Sequence, residues 1–175
     1  MKTIPELRET VRAREQRRLT LGRDIGTKRV EVKHVEQLRH EVATHGFNLV
    51  VDEPEERGGT HSGPDPLAYF VTGAASCFLN QFARTIIIRD LKIDSLEMTA
   101  RAHYDMAKNR EFLDFIYDVR LIGSETRENV SELMHEAERR CFVHQTLKKA
   151  LPLTTNVYLN GERVVSHTLG PNQRA

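Results

Sequence analysis

Two cysteines are the residues of this sequence best suited to chemistry, because a thiolate is both a nucleophile and a reversible redox group. The 175-residue chain contains no cysteines other than Cys77 and Cys141. Two thiols within disulfide distance can act as an attacking and a resolving pair, one forming a sulfenic acid and the other condensing with it. The alternative is that both are inert core residues, since free cysteine is among the most buried residue types.

Cys77 lies in a segment, residues 67–83, that contains no charged side chain. Asp65 and Pro66 before it form a typical helix start, with a capping carboxylate and a proline at the first helical position. A helix that is apolar on all sides is a buried one. The small residues at 73–76 leave one side nearly bare, which predicts close packing against a strand layer or the same helix of a second subunit.

Cys141 lies on a predicted amphipathic helix, residues 127–151, with a break near the cysteine. Cys141 and His144 have the spacing of metal ligands, but no second short-spaced pair accompanies them, so we expect no metal and no cofactor. A serine triad stays open from the residue types, although the G-x-S-x-G motif is missing. Gly58-Gly59 lacks the remaining residues of a phosphate-binding loop.

The rest of the chain predicts α+β architecture with mainly antiparallel sheet, because its strands come in hairpins rather than alternating with helices. A long loop at 52–64 is rich in glycine and proline, and loops of this length are often functional. Its acidic residues, Asp52 among them, are interpreted as solvated. Alternating polar and apolar residues predict strands in six segments: 29–35, 41–43, 47–51, 93–104, 112–122 and 155–165.

Composition excludes several classes of protein. The 26 basic and 25 acidic residues nearly cancel, which argues against a dedicated nucleic-acid binder. No apolar run reaches the roughly 20 residues that span a bilayer, and the N-terminus has no apolar signal core, so we expect a cytoplasmic protein without a membrane partner. Residues 1–40 are nonetheless basic, which favours a solvated helix over a nucleic-acid or partner arm.

The residues around both cysteines resemble those of the OsmC/Ohr family, named for osmotically inducible and organic hydroperoxide resistance proteins. The main match, GGTHSGPDPLAYFVTGAASC, joins a glycine-rich loop and a helix start to Cys77. EAERRCFVHQTLKKAL resembles the family's second cysteine segment, and TTNVYLNGE resembles its final strands. The resemblance covers roughly residues 28–168. We expect an OsmC-like domain over 26–170, a basic arm or helix at 1–25 and a tail at 171–175.

The resemblance implies an intertwined homodimer in which antiparallel sheets wrap around a buried central helix, with active sites at the subunit interface. It implies that Cys77 is the peroxidatic thiolate that attacks an organic hydroperoxide. Cys141 would then close a disulfide with the sulfenic acid, and a dithiol reductant would restore both thiols. An apolar pocket would favour organic over inorganic peroxide, and the candidates to line it are Phe70, Phe78 and Phe142.

The sequence departs from the family pattern at the group that activates the thiolate. Peroxidase members carry a Glu early in the cysteine helix, paired with an Arg, whereas Leu67 and Ala68 stand at the corresponding positions here. Arg57 is the first candidate for the activating cation, with Arg23 and Arg39 behind it. Two functions follow: a thiol-dependent peroxidase for organic hydroperoxides, or a non-catalytic dimer that binds a small apolar or thiol-reactive ligand between its subunits.

Overall fold

The observed elements follow the predicted order of hairpins and helices. The structure, a computed structural model, describes residues 4–20 and 26–171. The described residues separate into two compact units. The hairpin unit comprises residues 26–72, and the cysteine unit comprises residues 4–20 with 73–171. No helix in the described ranges is long and apolar enough to cross a membrane.

The hairpin unit is built on a three-stranded antiparallel sheet of β1 (Glu31–Glu36), β2 (Arg39–Thr44) and β3 (Phe47–Val51). His45 and Gly46 join β2 to β3 with positive φ angles of 49° and 82°. Two successive positive φ angles give the turn whose twist matches a hairpin. The alternating pattern predicted a half-buried first strand, and this was wrong for the single chain: all six residues of β1 are exposed at the sheet edge.

The loop after β3 contains a short 3-10 helix, Glu55–Arg57, and leads into helix α2 (Pro66–Arg89). The carboxylate of Asp65 accepts a hydrogen bond of 2.7 Å from the backbone N–H of Ala68. This contact satisfies one of the N–H groups that the first helical turn leaves without a partner. The predicted helix start at Asp65 is therefore confirmed.

The cysteine unit contains a four-stranded sheet in the order β4-β5-β6-β7. The β4–β5 and β6–β7 pairs are antiparallel hairpins, as predicted, whereas β5 and β6 pair in parallel. A parallel pair needs a crossover connection, and two helices provide it. The elements are β4 (Ile93–Tyr104), β5 (Phe112–Gly123), α3 (Arg127–Arg140), α4 (Phe142–Leu147), β6 (Leu153–Leu159) and β7 (Glu162–Leu169).

The main core of the cysteine unit lies against one face of this sheet. Alternate residues of β5 point inward, and aromatic side chains of α2 meet them: the ring of Phe78 lies 5.1 Å from that of Tyr117. Each large apolar side chain buried in this way contributes about 1.5–3 kcal/mol. The largest buried side chains include Phe78, Phe82, Phe115, Tyr117, Leu121 and Leu133.

Helix α1 (Ile4–Thr20) uses its basic side chains to cap the end of α2. Arg8 Nε donates to the carbonyl oxygen of Ile87 at 3.0 Å, and Arg12 Nη2 donates to that of Ile88 at 3.1 Å. The last carbonyls of a helix have no partner within it and carry partial negative charge, so guanidinium groups stabilise them. The basic stretch is thus a helix, as predicted, with two of its arginines bound to the chain itself.

Helix α2 buries one face and leaves the other open within the single chain. Phe78 and Phe82 are fully buried, whereas Gly73 and Ser76 are exposed. A Cβ atom added to Gly73 would meet nothing within 4 Å. The prediction of a helix buried on all sides is therefore not met by one chain, which leaves Gly73 and Ser76 exposed.

Candidate redox site

The two cysteines come together in the cysteine unit. Cys77 lies on α2, and Cys141 lies between α3 and α4. Their sulfur atoms are 3.4 Å apart, and both are free thiols. A disulfide needs sulfurs about 2.05 Å apart, so the pair must close by roughly 1.4 Å to form one. The fold therefore places both thiols within reach of a single bond.

Cys141 occupies the junction at which the predicted long helix breaks. Its extended backbone ends α3, and the same residue is the N-cap of α4. The sulfur accepts a 3.4 Å hydrogen bond from the backbone N–H of His144, one of the groups that the start of a helix leaves unpaired. The thiol is therefore positioned by the joint between two helices.

The two thiols differ in accessibility. The side chain of Cys77 is partly exposed, whereas Cys141 is 0% exposed. Burial raises the pKa of the Cys141 thiol to about 12, outweighing the N–H donor of His144 that favours the thiolate. Cys141 is consequently a neutral thiol near pH 7, and Cys77 is the sulfur that a solute can reach.

Two buried polar rings border the sulfur pair. Burial raises the pKa of Tyr117, and negative charge on Cys141 and Cys77 raises it further, so its phenol stays neutral. His144 is 1% exposed and packs its ring 4.6 Å from that of Phe78. Burial lowers the pKa of His144 to about 4, which keeps the imidazole neutral. Both rings that border the sulfurs are therefore uncharged near pH 7.

The three predicted pocket residues have different environments. Phe78 is completely buried between aromatic neighbours, so it shapes the core beside the thiols. Phe142 follows Cys141 directly and is 68% exposed. Phe70 is 42% exposed and belongs to the hairpin unit. Phe78 is thus the fully buried residue of the three.

The predicted activating cation, Arg57, lies in the hairpin unit and pairs there with Glu53 at 3.5 Å. Arg39 of the same unit lies near two glutamates, Glu36 and Glu41. Arg23 lies outside the described residues. The activating role of these arginines stays a prediction of the resemblance.

The acidic loop contains a carboxylate whose environment was predicted wrongly. Asp52 is fully buried, where a solvated side chain was expected. Burial raises its pKa, but hydrogen bonds from Ser62 and Thr60 outweigh that effect and hold the pKa below its usual range. The hydroxyls of Thr60 and Ser62 donate at 2.6 and 2.9 Å. The loop is thus organised around Asp52.

Sequence reasoning missed Tyr117, which carries no motif, because its place beside the sulfurs depends on the packing of β5 against α2. His144 was singled out only for its spacing from Cys141, and its burial beside the sulfurs was not predicted. Glu138 and His135 share one helix face at a spacing of three residues, a signal that was readable in the sequence. His167 joins them from β7, which only the sheet register brings near.

The fold and the site define an α+β protein that carries two neighbouring thiols on separate helices. The sequence profile described as OsmC-like protein matches residues 59–156, more than half of the 175 residues. The chain therefore belongs to the OsmC-like protein family. No curated protein is similar enough in sequence to match it.

Solved structures of this family share the fold. An OsmC-like protein from Mycoplasma pneumoniae is 18% identical, with a TM-score of 0.71, over 78% of this chain and 99% of that one. An organic hydroperoxide resistance protein from Elizabethkingia anophelis, with thiocyanate bound, is 17% identical with a TM-score of 0.65 over 79% and 100%. An organic hydroperoxide resistance protein OsmC from Legionella pneumophila is 16% identical with a TM-score of 0.58 over 78% and 97%.

Proposed function

We propose that this protein is a thiol-dependent peroxidase that reduces organic hydroperoxides. The observation that carries the proposal is the 3.4 Å separation of the Cys77 and Cys141 sulfurs. Membership of the OsmC-like family supports it, and two of the structures that share the fold are named organic hydroperoxide resistance proteins. Cys77 is the attacking residue and Cys141 the resolving residue, in line with their accessibility.

In the first step, the Cys77 thiolate attacks the terminal oxygen of the hydroperoxide. A sulfur–oxygen bond forms and the oxygen–oxygen bond breaks, so that sulfur loses two electrons and the substrate gains them. The departing alkoxide takes a proton from solvent and leaves as an alcohol. Cys77 becomes a sulfenic acid, and its partly exposed side chain is consistent with this role.

In the second step, Cys141 attacks the sulfenic acid sulfur of Cys77. The sulfur–sulfur bond forms as the sulfur–oxygen bond breaks, and the hydroxide takes the proton of the Cys141 thiol and leaves as water. Because burial keeps Cys141 protonated, that proton is available at the reacting atom. Because its thiol stays protonated, Cys141 does not compete with Cys77 for peroxide.

In the third step, an external dithiol reduces the disulfide. One of its thiolates attacks a sulfur of the pair to give a mixed disulfide, and its second thiolate releases the protein thiol. Cys77 is the sulfur that the reductant reaches first, because Cys141 is completely buried. Both cysteines return to thiols, and the dithiol leaves oxidised.

We propose that the protein works as a homodimer in which the open face of α2 contacts its copy. Gly73, which has no side chain, and Ser76, which has a small one, are exposed on that face, which allows two helix backbones to approach closely. The hairpin unit also exposes apolar side chains that a second subunit would cover, Val32 at 61% and Phe47 at 70% among them.

Gly73→Leu should therefore shift the mass in light scattering from dimer to monomer. Arg139→Leu, on the exposed face of α3, is the matched control that should stay dimeric.

The activity test measures consumption of cumene hydroperoxide and tert-butyl hydroperoxide with dithiothreitol as reductant. Wild-type protein should turn over, and Cys77→Ser should be inactive because the attacking sulfur is gone. In a separate reaction without reductant, Cys141→Ser should consume one equivalent of hydroperoxide and retain a sulfenic acid, seen by mass spectrometry as one added oxygen. Ser76→Ala, on the neighbouring position of α2, is the matched control and should remain active.

Two outcomes would contradict the peroxidase proposal. Wild-type protein that consumes neither hydroperoxide would favour the non-catalytic dimer instead, particularly if a small molecule co-purifies with it. Full turnover by Cys77→Ser would show that the chemistry resides elsewhere. Trapping of the sulfenic acid on Cys141 rather than Cys77 would reverse the assigned roles.

A further inference from the structure

A cluster of nitrogen and oxygen ligands outside the thiol pair carries a separate inference. His135 and Glu138 on α3 and His167 on β7 each offer one ligand atom, and these atoms all lie within 4.8 Å of one another. We propose that these three residues bind one divalent transition-metal ion, of which zinc fits the ligands best. The proposal does not depend on the peroxidase chemistry.

The distances between the ligand atoms suit a single ion. His167 Nδ1 lies 3.0 Å from Glu138 Oε2, and His135 Nδ1 lies 3.6 Å from the same oxygen. Ligands about 2.0–2.2 Å from a tetrahedral zinc are roughly 3.3–3.5 Å apart, so small side-chain movements would centre the ion. Two imidazoles and one carboxylate form a set that zinc uses with a fourth position open.

Burial gives this cluster a reason to hold a cation. Glu138 is only 3% exposed, and a buried carboxylate needs a compensating charge or hydrogen bonds. Among the described residues, His167 Nδ1 hydrogen-bonds to both oxygens of Glu138 at 3.1 and 3.0 Å, and the imidazoles of His135 and His144 also lie near this carboxylate. An ion bound to Glu138 would add a positive charge beside the buried carboxylate.

His144 is the independent observation that points to a ligand. It is 1% exposed, and neither of its ring nitrogens has a hydrogen-bond partner within the described ranges. Buried polar nitrogens are normally satisfied, so an orphaned imidazole facing a carboxylate indicates a missing partner. Its Nε2 is outside the three-residue group but lies 3.9 Å from Glu138 Oε1 on the buried side, whereas His135 and His167 are partly exposed and leave a route for the ion to enter.

The ligand types indicate the kind of metal. Imidazole nitrogen suits zinc and neighbouring transition ions, whereas magnesium and calcium prefer oxygen ligands alone. Because two of the three protein donors here are nitrogens, magnesium should bind far more weakly than zinc. Cobalt(II) is a visible stand-in for zinc, since its absorption reports coordination by nitrogen and oxygen.

The test uses tag-free, full-length protein carrying Cys77→Ser and Cys141→Ser, so that the thiols cannot capture the metal. Calorimetric titration with zinc should give one ion per chain, and cobalt should give a visible spectrum without sulfur charge-transfer bands. In this background, His167→Ala and Glu138→Gln should each weaken zinc binding by at least about tenfold. Far-UV circular dichroism without metal checks that each variant is folded.

The matched control is His103→Ala. His103 also pairs with a carboxylate in the cysteine unit, Asp114 at 2.7 Å, but is outside the three-residue group. This variant should bind zinc like its parent. The proposal is overturned if millimolar zinc gives no binding, if His167→Ala binds with unchanged affinity, or if magnesium competes equally. If Glu138→Gln fails to fold, His167→Ala, whose side chain is partly exposed, decides the outcome.

Discussion

Two buried carboxylates, one in each unit, are stabilised by different kinds of neighbouring group. Asp52 in the hairpin unit accepts hydrogen bonds from backbone N–H groups and hydroxyls of its own loop, such as those of Thr60 and Ser62. Glu138 in the cysteine unit instead faces imidazoles, and neither ring nitrogen of neighbouring His144 has a hydrogen-bond partner among the described residues.

The difference indicates that Asp52 has a structural role, whereas Glu138 is suited to bind a ligand. Every donor around Asp52 is supplied by the fold itself, so its charge stabilises the loop and has no capacity left for a ligand. Beside Glu138, the ring nitrogens of His144 have no hydrogen-bond partner among the described residues, so this part of the molecule has bonding capacity left for a ligand. The predictions below test this contrast from the largest expected effect to the smallest.

The largest effect concerns the protonation of Cys141. Its pKa is raised to about 12 by burial, against about 9 for an ordinary thiol, so folding should slow its alkylation by on the order of a thousandfold. Timed iodoacetamide labelling at pH 8, followed by peptide mass spectrometry, measures this in native and urea-unfolded protein. Cys77, which is partly exposed, is the internal control and should be labelled in the native state. Similar rates for Cys141 in both states would contradict the assignment.

The next effect tests how tightly the Asp52 loop is built. A Cβ atom added to Gly59 would lie 1.8 Å from the carbonyl oxygen of Glu53 and 2.7 Å from Asp52 Oδ1. Since the obstacle is backbone, Gly59→Ala should destabilise by about 3 kcal/mol and lower the melting temperature by roughly 10 °C. Gly26→Ala is the matched control, because its Cβ atom would meet nothing within 4 Å. Equal melting temperatures for the two variants would show that the loop yields easily.

The pH dependence of stability distinguishes the two units. Burial lowers the pKa of His144 from 6.5 to about 4, so the unfolded chain takes up its proton first as the pH falls. The stability from the neutral imidazole is present above pH 6.5 and is lost between pH 6.5 and 4, by about 3 kcal/mol. Urea unfolding with a chelator present should show this loss, and His144→Leu should remove it.

Asp52→Asn is the control for that experiment. The lowered pKa of Asp52 means that its contribution is present above about pH 4, the usual pKa of an Asp, and is lost only below it. The variant should be less stable than the parent at neutral pH and still lose stability between pH 6.5 and 4. If Asp52→Asn removed the loss of stability between pH 6.5 and 4 while His144→Leu retained it, the loss would be due to Asp52 rather than to His144.

Local sequence signals predicted much of this architecture. Asp65 before a proline marked the start of α2, because helix capping depends on residues close in sequence. The pairing of Cys77 with Cys141 followed from the family resemblance. The break at Cys141 was also predicted, although no proline or glycine marks it.

The features that were missed depend on long-range packing. Asp52 is buried because its loop closes on it, and alternation of residue types carries no information about that closure. Tyr117 and His167 reach their sites through the register of the sheet, in which β5 and β6 pair in parallel across a two-helix crossover. The burial of β1 was mispredicted because its alternating pattern predicts one covered face, whereas the single chain leaves both faces of the strand exposed.

The smallest expected change in stability tests the candidate cation of the hairpin unit. The Arg57–Glu53 ion pair spans 3.5 Å, and the Arg57 side chain is half-exposed, so the pair contributes under about 1 kcal/mol. Arg57→Ala should shift the melting temperature by no more than about 2–4 °C. If Arg57 supplies the charge that stabilises the Cys77 thiolate, the same variant should lower the rate of cumene hydroperoxide reduction about tenfold. Glu53→Gln breaks the same ion pair but keeps the cation, so its rate should equal that of the parent. Equal rates in both variants would show that Arg57 does not activate Cys77, and Arg39 would be the next candidate to test.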